Sequence, residues 1–185
     1  MTGRRFAELP LADMTQEQLA IAERALSGPR GKYDGSLVIW LRSPTVADHV
    51  ERLGEYLRFE SPVPLRLKEL AIMVVARHKN AAYPWSLHYG QAVRAGVAAE
   101  TLDAIAKRQR PDSMPADEAA VHDFCTALLS GQDVADSVHV AALAALGERG
   151  EIDLIGLIGY YQMVCMIKTI DRVPPVAGKA PDLPD

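Results

Sequence analysis

Residues 65–79 read LRLKELAIMVVARHK, and their spacing decides the fold class. Apolar side chains recur at Leu67, Leu70, Ala71, Val74 and Val75, the three-and-four repeat that lays one stripe of an α-helix against a core. Asn80 then supplies a residue that tolerates the left-handed conformation of a helix stop. Downstream, Pro84 opens a helix to about Ala95, closed by Gly96, and Glu100 to Arg108 gives a short one. A loop rich in Pro111, Asp112, Ser113 and Pro115 follows. Val121, Phe124, Cys125 and Leu128 mark the next helix, ended by Ser130-Gly131. Asp136 caps an Ala-rich helix to Leu146, and Gly147 and Gly150 separate it from a final helix of about Ile152 to Ile170.

Upstream, Thr15 with Gln18 forms a capping box for a helix from Gln16 to about Leu26, which Ser27-Gly28-Pro29 stops. The glycines and proline between Gly28 and Leu41 predict a loop, although Leu37-Val38-Ile39-Trp40 would also suit a short strand or buried turn. Ser43-Pro44 opens a helix whose Val46, Val50, Leu53 and Leu57 share a face and which ends near Phe59, before Ser61-Pro62-Val63-Pro64. No convincing run of alternating strands occurs. The expected architecture is all-α with seven or eight helices, one domain over 1–175 and a flexible tail over 176–185.

The chain has 185 residues, about one domain on the usual scale of roughly 150 residues. With 49% hydrophobic and 24% charged residues it has the composition of a folded protein. Its 20 basic against 24 acidic residues give a net charge of −4. The basic residues are scattered, so the footprint of a nucleic-acid binder is missing. Cys125 and Cys165 stand apart in apolar helical patterns and read as buried, reduced thiols. The two N-terminal arginines are not followed by the apolar core of a secretion signal. Asp153, Gln162 and Lys168 interrupt the most apolar segment, Ile152 to Ile170, whereas a membrane span wants about 18 apolar residues in succession. A cytoplasmic protein without a membrane partner is expected.

Glu69 is the most anomalous residue. Its helical neighbours are Leu65, Ile72, Met73 and Ala76, so its carboxylate projects among apolar side chains. Burying it unpaired costs several kcal/mol, on the order of a domain's whole margin of stability. It must be neutralised, paired or facing a wet cavity. It is therefore either a general acid or base or a structural carboxylate that pairs with an arginine or caps another helix. His88 lies in YPWSLHYG, where Trp85, His88, Tyr89 and Ala92 form one helical face. That face suits a pocket for a planar or cyclic substrate, and equally an ordinary core. Arg77 and His78 end their helix where cations oppose the C-terminal dipole. Arg42 has the fork that grips a substrate carboxylate, or makes a simple salt bridge. His49, His122 and His139 read as solvated or packing residues without partners of note, and no metal-ligand spacing occurs.

The segment from Glu69 to Arg77-His78, then Tyr83-Pro84-Trp85-Ser86-Leu87-His88 and Ala92 to Ala95-Gly96, resembles the carboxymuconolactone decarboxylase family, which includes the alkylhydroperoxidase D proteins. Trp40-Leu41-Arg42-Ser43-Pro44, Gly54-Glu55-Tyr56-Leu57-Arg58 and the closing Asp153 to Gly159-Tyr160-Tyr161 are similar to further segments of it. The likeness runs from about residue 15 to 175. It implies an alkylhydroperoxidase D-like helical bundle that assembles into homo-oligomers, commonly trimers or hexamers. It also implies catalytic roles for Glu69 and His88 as donor and proton relay, with Tyr83, Trp85, Arg42 and His78 as candidate substrate contacts.

The peroxidase branch carries two thiols that would fall on Ala81 and Pro84. Without a thiolate that redox chemistry has no nucleophile. The decarboxylase branch needs neither metal nor cofactor, because an unsaturated lactone carbonyl takes up the electrons left by carbon dioxide. Family members often carry an acidic residue before the tryptophan, where Pro84 stands here. The resemblance thus implies acid/base chemistry on a small carboxylated cyclic compound, with a peroxidase relative and a non-catalytic oligomeric binding module as alternatives. In an ideal hairpin turning near Ala81 and Ala82, Glu69 would lie about 19 Å from the turn and His88 about 10 Å, so direct contact between them is not expected unless the helices cross or another group intervenes.

Overall fold

In a computed structural model that describes residues 3–33 and 35–184, every regular element is helical. Met1 and Thr2, read for a leader, and Asp185, the last residue of the tail, lie outside the described residues, as does Asp34. The described chain forms two compact units. One runs up to Ser61 and includes Met166–Val173; the other comprises Pro62–Cys165 and the segment from Pro174 onward.

In the first unit, α1 (Gln16–Ser27) opens on the expected capping box, the Thr15 hydroxyl accepting from Gln18 N and the Gln18 side chain from Thr15 N. The predicted loop at residues 37–40 is instead a short helix, α2 (Leu37–Trp40). Ile39 N and Trp40 N both donate to Ser36 O, and burial of Leu37, Ile39 and Trp40 outweighs the loop preference of the glycines before it. After Pro44 at its first position, α3 (Pro44–Glu55) widens into a π-turn over Tyr56–Glu60. Arg24 on α1 ties to α3 through Glu51 (2.9 Å) and Asp48 (2.6 Å). Asp171, fully buried, accepts from Phe6 N at 2.8 Å, Arg5 N at 3.0 Å and Arg4 Nε at 2.8 Å.

In the second unit, α4 (Leu65–His78) is buried without interruption from Leu67 to Arg77. The sequence pattern marks one apolar stripe, but α5 (Ala82–Ala95), α6 (Ala99–Ala106) and α7 (Ala116–Ser130) all pack on α4 and cover its other faces. α5 begins two residues before Pro84, which falls in the first turn where its missing N–H is not needed. It ends at Gly96, whose φ of 103° suits glycine. The last helical stretch, α8 (Asp136–Ile170), breaks at Gly147 (φ 68°, ψ 168°). Gly150, the other expected break, is helical.

Leu154, Leu157, Ile158, Tyr160, Tyr161 and Cys165 of α8 are buried. Among the described residues α8 alone has the length and composition to cross a membrane, at a mean hydropathy of 1.2, and a little under half of that stretch is buried within the fold. The segment after Pro175 lies along α5, with Val176 N donating to Ser86 Oγ (2.8 Å) and Trp85 Nε1 to Pro181 O (3.0 Å).

Candidate functional site

The all-round burial of α4 leaves Glu69 only 5% exposed, and His88 on α5 is 4% exposed. They meet directly, Glu69 Oε2 lying 2.8 Å from His88 Nδ1. This corrects the ideal-hairpin expectation. α4 and α5 are in intimate contact, and two long side chains turned into their shared interface span the axial offset. It also answers what partners the carboxylate: an imidazole, where an arginine or a helix end was the structural alternative.

A carboxylate at Nδ1 selects the tautomer with the proton on that nitrogen, leaving the Nε2 lone pair free. The Tyr161 hydroxyl of α8 lies 3.4 Å from Nε2, and its ring stands edge-on to the imidazole at 5.2 Å. Tyr160 in turn packs edge-on against Tyr161 at 5.4 Å. The result is a buried chain of three proton-carrying groups, Glu69, His88 and Tyr161. Sequence reasoning did not assign Tyr161 to the site. Its only signal was its place in the closing family-like segment.

The other candidates are distributed differently. Trp85 is buried next to Tyr89, ring centroids 6.0 Å apart, and its indole N–H is taken by Pro181 O. Tyr83 is half-buried and its carbonyl accepts from Ser86 Oγ at 2.9 Å. Arg42 lies in the first unit. Its guanidinium donates to Val38 O at 2.7 Å and to Ala7 O, and stacks 5.0 Å over the Phe6 ring.

His78 is exposed at the end of α4; burial of the ring, then the charges of Lys79 and Arg108, hold its pKa below the usual imidazole value. His122 and His139, read as lacking partners, each have one: Asp123 Oδ1 at 3.0 Å and Glu151 Oε1 at 2.7 Å. These carboxylates were invisible to helical periodicity, because one is a sequence neighbour and the other lies across the Gly147 break.

Ala81, immediately before α5, and Pro84, in its first turn, are both buried. Burial pushes the Cys165 thiol up to about 12, against the pull of Lys79, and raises that of Cys125 as well. Neither is a ready thiolate. Among the described residues no group of three or more His, Cys, Asp and Glu side chains converges as a metal site would require.

This helical arrangement is shared with solved structures. The alkylhydroperoxidase AhpD core, an uncharacterized peroxidase-related protein from Ralstonia eutropha JMP134, superposes with a TM-score of 0.74 at 11% identity, over 96% of this chain and 94% of that one. A cysteine-to-alanine variant of the debrominase Bmp8, in complex with 2,3,4-tribromopyrrole, superposes with a TM-score of 0.70 at 17% identity, over 94% of each chain. No curated protein matches the sequence. Residues 44–122, from the start of α3 into α7, match the model of the carboxymuconolactone decarboxylase family. Over these residues the chain is similar to that family, and the solved structures show that it shares the alkylhydroperoxidase D-like helical fold.

Proposed function

We propose that this protein is a cofactor-independent acid/base enzyme of the carboxymuconolactone decarboxylase type, a lyase acting on a small carboxylated cyclic compound such as a carboxylactone of aromatic catabolism. The observation that carries the reading is the buried Glu69–His88 contact of 2.8 Å with Tyr161 behind it. Loss of carbon dioxide leaves an electron pair that an unsaturated lactone carbonyl delocalises, and the reaction is complete when that carbon is protonated. In this reading His88 shuttles the proton through Nε2. Glu69 holds the ring and stabilises its charged form, and a positioned acid or base of this kind is worth about 100-fold or more in rate. The peroxidase alternative is disfavoured by Ala81 and Pro84 at the thiol positions. We further propose that the protein works in the cytoplasm as a homo-oligomer, a trimer or hexamer.

The test is a panel of unsaturated carboxylactones, followed by carbon dioxide release and by proton NMR of the product in deuterated water. Turnover with one deuteron incorporated at the carbon that lost carbon dioxide is expected. Deuteron-free product, or hydroperoxide reduction by the same preparation with no lactone turnover, would overturn the reading. Light scattering should give a mass well above the 20.1 kDa of one chain; a monomer at micromolar concentration would refute the oligomer.

A further inference from the structure

Away from Glu69 and His88, and sharing no residue with them, the second unit holds an open pocket of about 500 Å³ between the end of α4, the end of α6 and α7. That volume is in the range of small-molecule sites. Val74, Ile105, Ala127 and Leu129 contribute apolar lining. Arg77, His78 and Arg108 contribute cationic and polar lining.

Arg77 is only 4% exposed. Its Nε donates to Ala106 O at 2.6 Å and its Nη1 to Asn80 Oδ1. Arg108 Nη2 donates to the same Asn80 oxygen at 3.0 Å. Two guanidiniums therefore converge on one neutral amide, and among the described residues neither has a carboxylate partner. Guanidinium does not shed its proton to escape burial, and a buried charge without a counter-ion is costly. Burial and then the neighbouring Arg108 act against the charged form of Arg77.

The pocket's one carboxylate does not fill that need. Asp123 is held bidentately by Arg110, at 2.9 and 3.2 Å from Nε and 2.9 Å from Nη2, and also meets His122. Burial alone would raise its pKa, but Arg110 and His122 hold it below the usual carboxylate value, so it stays ionised and internally neutralised. Lys79 adds a further positive charge beside His78.

We propose that this pocket binds a small organic anion, its acidic group gripped by Arg77 and Arg108 and its apolar body lying against Ile105, Ala127 and Leu129. Paired guanidiniums offer the planar donors that carboxylates and phosphates accept, and the apolar lining selects an acid with a hydrocarbon body over a bare inorganic ion.

The probes are benzoate, phenyl phosphate, inorganic phosphate and the neutral benzyl alcohol, titrated calorimetrically into the whole chain. Benzoate or phenyl phosphate should bind saturably with a dissociation constant of about 1 mM or tighter, and benzyl alcohol at least about ten-fold more weakly. Preference between the two anions identifies the acidic group, while tighter binding of inorganic phosphate than of either would overturn the role of the apolar walls. Arg77→Gln and the exposed Arg108→Gln should each weaken the anion by about ten-fold or more, and Ala127→Trp should abolish binding by filling the pocket. Arg108→Gln keeps the test sound if Arg77→Gln fails to fold. Glu69→Gln should leave binding unchanged, which separates this pocket from the proposed acid/base site. No saturable anion binding, equal binding of benzyl alcohol, or wild-type affinity in Arg108→Gln would each refute the proposal.

Discussion

Glu69 on α4 and His88 on α5, 19 residues apart in sequence, meet at 2.8 Å with both side chains buried. The contact joins an acceptor that cannot be left alone in an apolar core to an imidazole whose second nitrogen remains open to Tyr161. Its structural and chemical roles are separable, because Gln keeps the shape of Glu without its charge.

Glu69→Gln and His88→Ala should each lower turnover of a cognate substrate by about 100-fold or more, and the double variant should be little worse than either, since members of one relay are non-additive. His88→Ala also strands a buried carboxylate, so urea unfolding should show a loss of about 3 kcal/mol. Tyr161→Phe keeps the ring packed on His88 and should reduce turnover without a comparable loss of stability. Turnover within a few-fold of wild type in Glu69→Gln would leave the pair a structural one.

The thiols should be inert. Because Cys125 and Cys165 are buried and their pKa values raised, a thiol reagent at pH 8 should label neither in the folded protein and both in denaturant. Replacing both by Ser should leave turnover unchanged. Rapid labelling of the native chain would contradict the burial.

Asp171 should govern part of the acid stability. Burial alone would raise its pKa, but Phe6 N–H, Arg4 and Arg5 N–H outweigh burial and lower it. Its stabilising contribution is therefore fully present above the unfolded carboxylate value of about 3.9 and fades as pH falls through the lower folded value. Asp171→Asn should lose about 1–3 kcal/mol at neutral pH and flatten the stability curve below about pH 4. An unchanged acid limb would show that these bonds do not discriminate the charged form.

Trp85 reports on the C-terminal segment. In a Trp40→Phe background, deleting residues 176–185 removes the Pro181 carbonyl from the indole N–H and uncovers the ring. Its fluorescence should shift to longer wavelength and become accessible to acrylamide. An unshifted spectrum would mean that the segment does not cover Trp85 in solution.

Much of the helical layout was legible from residues within a turn of one another. Thr15 and Gln18 cap α1, Gly96 and Gly131 stop α5 and α7, and Gly147 breaks α8, because capping and left-handed stops are local chemistry. The burial of Glu69 was also legible, since its four helical neighbours are apolar. Its partner was not, and an ideal hairpin argued against it.

What the sequence by itself determined, then, is the class: helices, their ends, a buried carboxylate and a family-like order of segments. Only the tertiary structure decided that Glu69 reaches His88 and that Tyr161, 73 residues beyond His88, completes the chain. It likewise gave the Arg42 guanidinium to the Val38 and Ala7 carbonyls, and turned residues 37–40 from loop to helix. The physical reason is range. Periodicity and caps are set by neighbours three or four residues away, whereas the meeting of side chains on different helices depends on how every core residue packs at once.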